Sequence, residues 1–162
     1  LDLQPHLIST AIEWFGKAEL VTATVRSIRG AADDDSVLVL RHESGVMSYL
    51  SASAVVGAPG PRIRILGSKG ALVINDLDPQ EALLRAGKYP VGAVWSEPTT
   101  SAAYIHRGTE VEEIQGVPGN YALFYAAVAS AISKGTPWPI SNDDALLVAS
   151  LIDQARTIGT HA

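Results

Sequence analysis

The chain has no cysteine, so disulfides, thiolate nucleophiles and thiolate metal sites are excluded, and the composition fits a reducing cytoplasm. Basic residues are scarce as well. Twelve Lys and Arg stand against 17 Asp and Glu, for a formal charge of -5, and no Lys/Arg cluster occurs. A nucleic-acid partner, which needs a basic face, is therefore not expected. No apolar run approaches the roughly 20 residues of a membrane helix, and the start lacks the basic-then-apolar plan of a signal peptide, so no membrane partner is expected. The sequence also lacks G-x-G-x-x-G, G-x-x-x-x-G-K-[ST], H-E-x-x-H and G-x-S-x-G. Gly57-Ala58-Pro59-Gly60 and Gly67-Ser68-Lys69-Gly70 read as turns, because neither opens a helix after a strand. The only methionine is Met47 and the first residue is Leu1, from which the chain is expected to be a segment of a longer polypeptide.

Apolar residues are plentiful. At 47% hydrophobic and 18% charged, the 162 residues can bury a core, and the length is that of one domain. The first sixteen residues predict a helix: Leu3, Leu7, Ile8, Ala11, Ile12 and Phe15 form one apolar stripe, Asp2 can cap it, Pro5 is tolerated in the first turn, and Gly16 ends it. Asp2 and His6 are four residues apart, so within a helix they share a face and can reach one small molecule.

A strand period follows. Strands are predicted over Leu20 to Arg29, Ser36 to His42 and Val46 to Ala54, with an acidic loop at Ala31 to Asp35 and a turn at Glu43-Ser44-Gly45. Arg62 to Leu66 and Ala71 to Ile74 form a hairpin across Gly67 to Gly70. Pro79 to Gly87 holds helical turns, Lys88 to Ser101 is loop, and Ala102 to His106 with Thr109 to Gln115 makes a last strand pair. Two helices close the chain. One covers Asn120 to Lys134 with a stripe of Tyr121, Phe124, Tyr125, Val128, Ala131 and Ile132; the other runs from a Ser141-Asn142-Asp143 cap to Ile158.

Helix, antiparallel strands, then two helices define an α+β fold. Ser36 to Leu40 and Ala71 to Ile74 are apolar at consecutive positions, which calls for cover on both sheet faces. Three helices can cover one; the other is left to a second subunit, a further domain or the chain's own loops.

Four segments follow in a fixed order: Asp2-Leu3-Gln4-Pro5-His6-Leu7-Ile8 with Trp14-Phe15-Gly16, Gly67-Ser68-Lys69-Gly70-Ala71-Leu72, Asn120 to Tyr125, and Ala131 to Pro137 leading to Asp143-Asp144-Ala145-Leu146. In that order and spacing the layout resembles the C-terminal domain of the Gfo/Idh/MocA oxidoreductases (glucose-fructose oxidoreductase, inositol dehydrogenase, rhizopine catabolism). The resemblance implies an open-faced, mainly antiparallel sheet with helices on one face, of the glyceraldehyde-phosphate-dehydrogenase-like C-terminal type. Residues 1–162 would then be a substrate-binding and oligomerisation domain, with a Rossmann domain that binds NAD or NADP absent from this chain. It further implies a carbohydrate-like substrate, a homo-oligomer through the open sheet face, and catalytic roles for His6 as base and Asp2 as orienting group. Tyr121 matches a substrate-facing position in several members, and Ser9 stands where many carry Asp.

Residue by residue, structural readings stand beside these. Asp2 can be only a cap, His6 only a surface histidine, and Tyr121 only part of a packed stripe. His42, His106 and His161 lack metal-ligand spacing and are expected to face solvent or be satisfied by loops. Arg62 and Arg64 suit a solvated or interfacial face, and Trp95, Tyr104 and Trp138 suit packing. A non-catalytic ligand sensor or scaffold of the same family is the alternative function.

Overall fold

Two sequence periods meet in the first hundred-odd residues, and the computed structural model shows what each builds. It describes residues 3–30, 32–58, 60–76, 80–89, 102–116 and 119–159. The order is α1 (Gln4–Phe15), β1 (Ala18–Arg26), β2 (Asp35–His42), β3 (Met47–Ser53), β4 (Ile63–Gly67), β5 (Gly70–Ile74), α2 (Gln80–Arg85), β6 (Ala102–Arg107), β7 (Glu110–Gln115), α3 (Tyr121–Lys134) and α4 (Asn142–Ile158). The fold is α+β, with antiparallel sheets β1-β2-β3 and β4-β5-β6-β7. Two units result: residues 1–57 with 140–162, and residues 58–139.

The first unit carries the core. Ile8 and Ile12 of α1 and Leu151 and Ala155 of α4 bury against Ala23, Leu38 and Leu40 of the sheet. Each fully buried Ile or Leu side chain contributes about 1.5–3 kcal/mol relative to exposure, so Ile8, Leu38, Leu40 and Leu151 dominate this unit's stability. α1 and α4 pack on this sheet, and α3 belongs to the second unit. The consecutive apolar run of β2 resolves into two faces. Ser36, Leu38, Leu40 and His42 point inward, while Val37 faces outward and is 38% exposed. β1 keeps its apolar residues inward through a bulge between Leu20 and Thr22, which restores the core side at Ala23.

β1 also ends earlier than the β-branched run suggests. Asp34 takes over the backbone there: its carboxylate accepts hydrogen bonds from Ile28 N (2.8 Å) and Arg29 N (3.0 Å) and pairs with Arg29 Nε (2.9 Å). A carboxylate that gathers amides in this way favours a loop over a ladder. The amide of Ile28 and then the Arg29 side chain hold the Asp34 carboxyl below the usual carboxylate value.

The second unit has the β4–β5 hairpin where the glycine turn predicts it. Gly70, at φ 159°, leaves 2.7 Å between a would-be Cβ and the His106 carbonyl oxygen, so a side chain there would push β6 away. α2 realises the helical turns expected between Pro79 and Gly87. The loop expected over Lys88 to Ser101 lies mostly outside the described residues. α3 is capped by Asn120, whose Oδ1 accepts from Ala122 N at 3.0 Å, and stops at Gly135 in the left-handed conformation. Its expected packed stripe is not packed: no residue of α3 is buried, and Ile132 is 73% exposed.

Candidate functional site

The apolar face of α1 seats the helix on β2 and β3, and two polar clamps fix its ends. At the start, the fully buried Gln4 donates from Nε2 to Ser36 Oγ (3.0 Å) and to the Leu50 carbonyl (3.3 Å). At the end, His42 Nδ1 lies 2.7 Å from the Gly16 carbonyl and its Nε2 lies 2.9 Å from Ser48 Oγ. A carbonyl only accepts, so Nδ1 carries the proton and, in the neutral ring, Nε2 accepts from Ser48. Phe15 packs edge-on to the His42 ring at 5.5 Å, and Ser44 Oγ donates to the Phe15 carbonyl at 2.9 Å.

His6 sits in the first turn of α1 between these clamps, and it is exposed. Its carbonyl accepts from Ser9 Oγ (3.2 Å) and Thr10 Oγ1 (2.9 Å), so both hydroxyls fold back onto the helix. The helix carries Leu3 at its N-cap position, without a side-chain cap. Asp2 lies outside the described residues, and so does its expected pairing with His6. Tyr121, the first residue of α3, is 44% exposed, and its amide donates to Gln80 Oε1 at 3.1 Å. His6 belongs to the first unit and Tyr121 to the second.

The remaining histidines divide. His42 is buried and satisfied, which meets the expectation of loop partners only in part, since Ser48 is on a strand. His106 is half-buried on β6 opposite Ala71, and His161 and Trp95 lie outside the described residues. Arg62 and Arg64 are exposed, Tyr104 is half-buried and Trp138 is exposed. No group of three or more His, Asp and Glu able to hold a metal occurs among the described residues. The clamping residues Gln4, Ser36, His42 and Ser48 escape a reading of the sequence by residue type. The available signal is parity: Ser36 and His42 share the inward alternation of Leu38 and Leu40.

Residues 1–73 match the family model of the GFO/IDH/MocA C-terminal domain, a span that takes in α1 and the first sheet. The chain is thus a relative of the GFO/IDH/MocA oxidoreductases with the fold of their C-terminal domains. Among curated proteins it is 29% identical to the scyllo-inositol 2-dehydrogenase (NADP(+)) IolW of Bacillus subtilis over 95% of this chain and 45% of that protein. It is 31% identical to the oxidoreductase YdgJ of Escherichia coli over 94% of this chain and 45% of that one. The solved structure of the Bacillus subtilis protein yvaA superposes with a TM-score of 0.84 at 27% identity, covering 98% of this chain and 48% of that one. The chain therefore spans about half the length of the curated relatives it matches.

Proposed function

We propose that this chain is the substrate-binding and self-associating part of an NAD(P)-dependent oxidoreductase acting on a sugar, inositol or related polyol, in the cytoplasm. The observation that carries this reading is His6: an exposed imidazole on a helix clamped at both ends, inside the span that matches the family model. The inositol substrate and NADP in the name of the relative IolW support it.

The dinucleotide is assigned no site on this chain. Gly67 and Gly70 close a hairpin, and no helix N-terminus follows them to receive phosphate. The nucleotide is assigned to the rest of a longer polypeptide. When bound there, the nicotinamide supplies the hydride acceptor or donor. This chain takes up the proton in the oxidative direction: oxidation of a C–OH to C=O releases one proton as the hydride departs, and the His6 imidazole accepts it, because imidazole is the side chain whose ordinary titration range lies nearest neutrality. Asp2 orients the hydroxyl or the ring, and Tyr121 presents a phenol to the substrate.

In the full-length protein, His6→Ala should lower kcat by roughly 10²–10⁴-fold, the usual share of a general base, and flatten the pH profile of kcat. Unchanged turnover on the true substrate would reject the assignment and favour the ligand-sensing alternative. Self-association is assigned to the open face of the first sheet, and fractionation of the producing cell tests the compartment, a membrane or secreted location being the contrary result.

A further inference from the structure

α2 inverts the usual order of burial. Gln80, its first residue, is 2% exposed, whereas Leu84 on the same short helix is 40% exposed. An apolar side chain is the ordinary occupant of a buried place, and a polar amide is buried at a cost unless its hydrogen bonds are made. The bond made here reaches a backbone group 41 residues away: Gln80 Oε1 accepts from Tyr121 N at 3.1 Å. Tyr121 opens α3, and two further hydrogen bonds at that end are local. Asn120 Oδ1 accepts from Ala122 N at 3.0 Å, and the Asn120 carbonyl accepts from Leu123 N at 3.1 Å. Those two set where along the chain the helix begins. They do not set where that beginning lies in the second unit, and no residue of α3 is buried to hold it by packing. Gln80 supplies that position.

We infer that Gln80 is a positioning residue for the Tyr121 phenol, and through it a determinant of substrate affinity. The inference rests on the contact of Tyr121 with the polyol proposed above and adds what holds that side chain in place. A first-turn amide has no partner within its own helix, so its acceptor has to come from outside. The Tyr121 nitrogen is bonded directly to its Cα, and fixing the nitrogen fixes the direction in which the side chain leaves the helix. The phenol hydroxyl sits at the far end of a rigid ring, where a small turn of the backbone becomes a large displacement. That hydroxyl both donates and accepts, which suits a ligand rich in hydroxyl groups. An O–H···O bond spans about 2.5–3.0 Å, so a displacement of about 1 Å is enough to break it.

The test uses steady-state kinetics of the full-length protein, with NAD or NADP and whichever of myo-inositol, glucose and sorbitol the parent oxidises fastest. Tyr121→Phe should raise KM for the polyol by roughly threefold to tenfold, the worth of one hydrogen bond. Gln80→Met, which keeps the bulk and removes the acceptor, should raise it over the same range, and so should Gln80→Asn, which withdraws the amide by one methylene. The effect falls on KM, the signature of lost binding, and leaves kcat to His6. Gln80→Glu retains an acceptor oxygen at a helix start that favours negative charge, and should bring KM back toward the parent value. In a Tyr121→Phe background Gln80→Met should add nothing, because the hydroxyl it places is already gone. If the two substitutions instead multiply, Gln80 acts on the fold and not through Tyr121, and the inference is overturned. A lower urea midpoint for Gln80→Met with an unchanged KM overturns it too. An unchanged KM in Tyr121→Phe rejects the contact of Tyr121 with substrate, and no turnover with any of the three polyols rejects the functional reading itself; the inference falls with either.

Discussion

His42 has no metal-ligand spacing in the sequence and is a structural link in the fold, because both ring nitrogens have partners. Replacing it with Phe keeps the ring's bulk and its contact with Phe15 but strands the Gly16 carbonyl and the Ser48 hydroxyl. His42→Phe should therefore destabilise the protein by about 1–3 kcal/mol, the cost of leaving buried polar groups unpaired, read as a lower midpoint in urea. Asp34 gives a pH dependence. Its carboxyl is held below its usual value by the Ile28 amide and the Arg29 side chain. A depressed folded-state value means the contribution is fully present above the ordinary carboxylate range and disappears as pH falls through the lower, folded value. Asp34→Asn should thus melt below the parent at pH 7, and the gap should close in acid. A gap independent of pH would mean the carboxylate charge is not what holds the loop. Residue types alone could not reveal either role. Ser36, Leu38, Leu40 and His42 display their shared side only when read by alternation, and Asp34 sits among Asp33 and Asp35 with nothing in the sequence to single it out.

At the scale of elements, local chemistry was legible wherever the signal is local. Gly135 stops α3 in the left-handed conformation, and Ser141 caps α4 by accepting from Asp144 N at 3.3 Å. Ser141→Ala should cost about 1 kcal/mol, and the measurement is the urea midpoint of the first unit's helical signal; no change would mean that Asp143 and Asp144 already satisfy the helix start. The start of α1 is less legible. Asp2 is the cap its residue type suggests, yet the helix holds Leu3 at the N-cap position and secures its first turn through Gln4, a tertiary bond to residues 32 and 46 positions away. Burial was the other weak point. The stripe of α3 has the 3.6 period of a packed helix, but period reports which residues share a face and not whether another element covers it.

For the molecule as a whole, the proposed function divides labour between this chain and the rest of a polypeptide about twice as long in the relatives. The chain alone should show no NAD or NADP affinity in isothermal calorimetry, because its glycine turns close loops and hairpins instead of opening helices. Binding in the micromolar range would mean a nucleotide site is built here. The grouping into two units was not legible from length, since 162 residues suit one domain as well as two small lobes, and the long-range packing of α4 on β1 and α1 assigns the last helix to the first unit.

The sequence by itself determined the α+β class, the strand pairs joined by short turns, the ends of α3 and α4, and the family likeness carried by the segment around His6. Those follow from period, turn chemistry and capping, all of which act within a few residues. The tertiary structure decided which face of β2 is wet, that Gln4 and His42 clamp α1, and that α1 and α4 are the helices of the first unit that pack on its sheet. It also set the bond from the Tyr121 amide to Gln80, which places the start of α3. Each of these depends on registers between residues far apart in the chain, where no local propensity reaches.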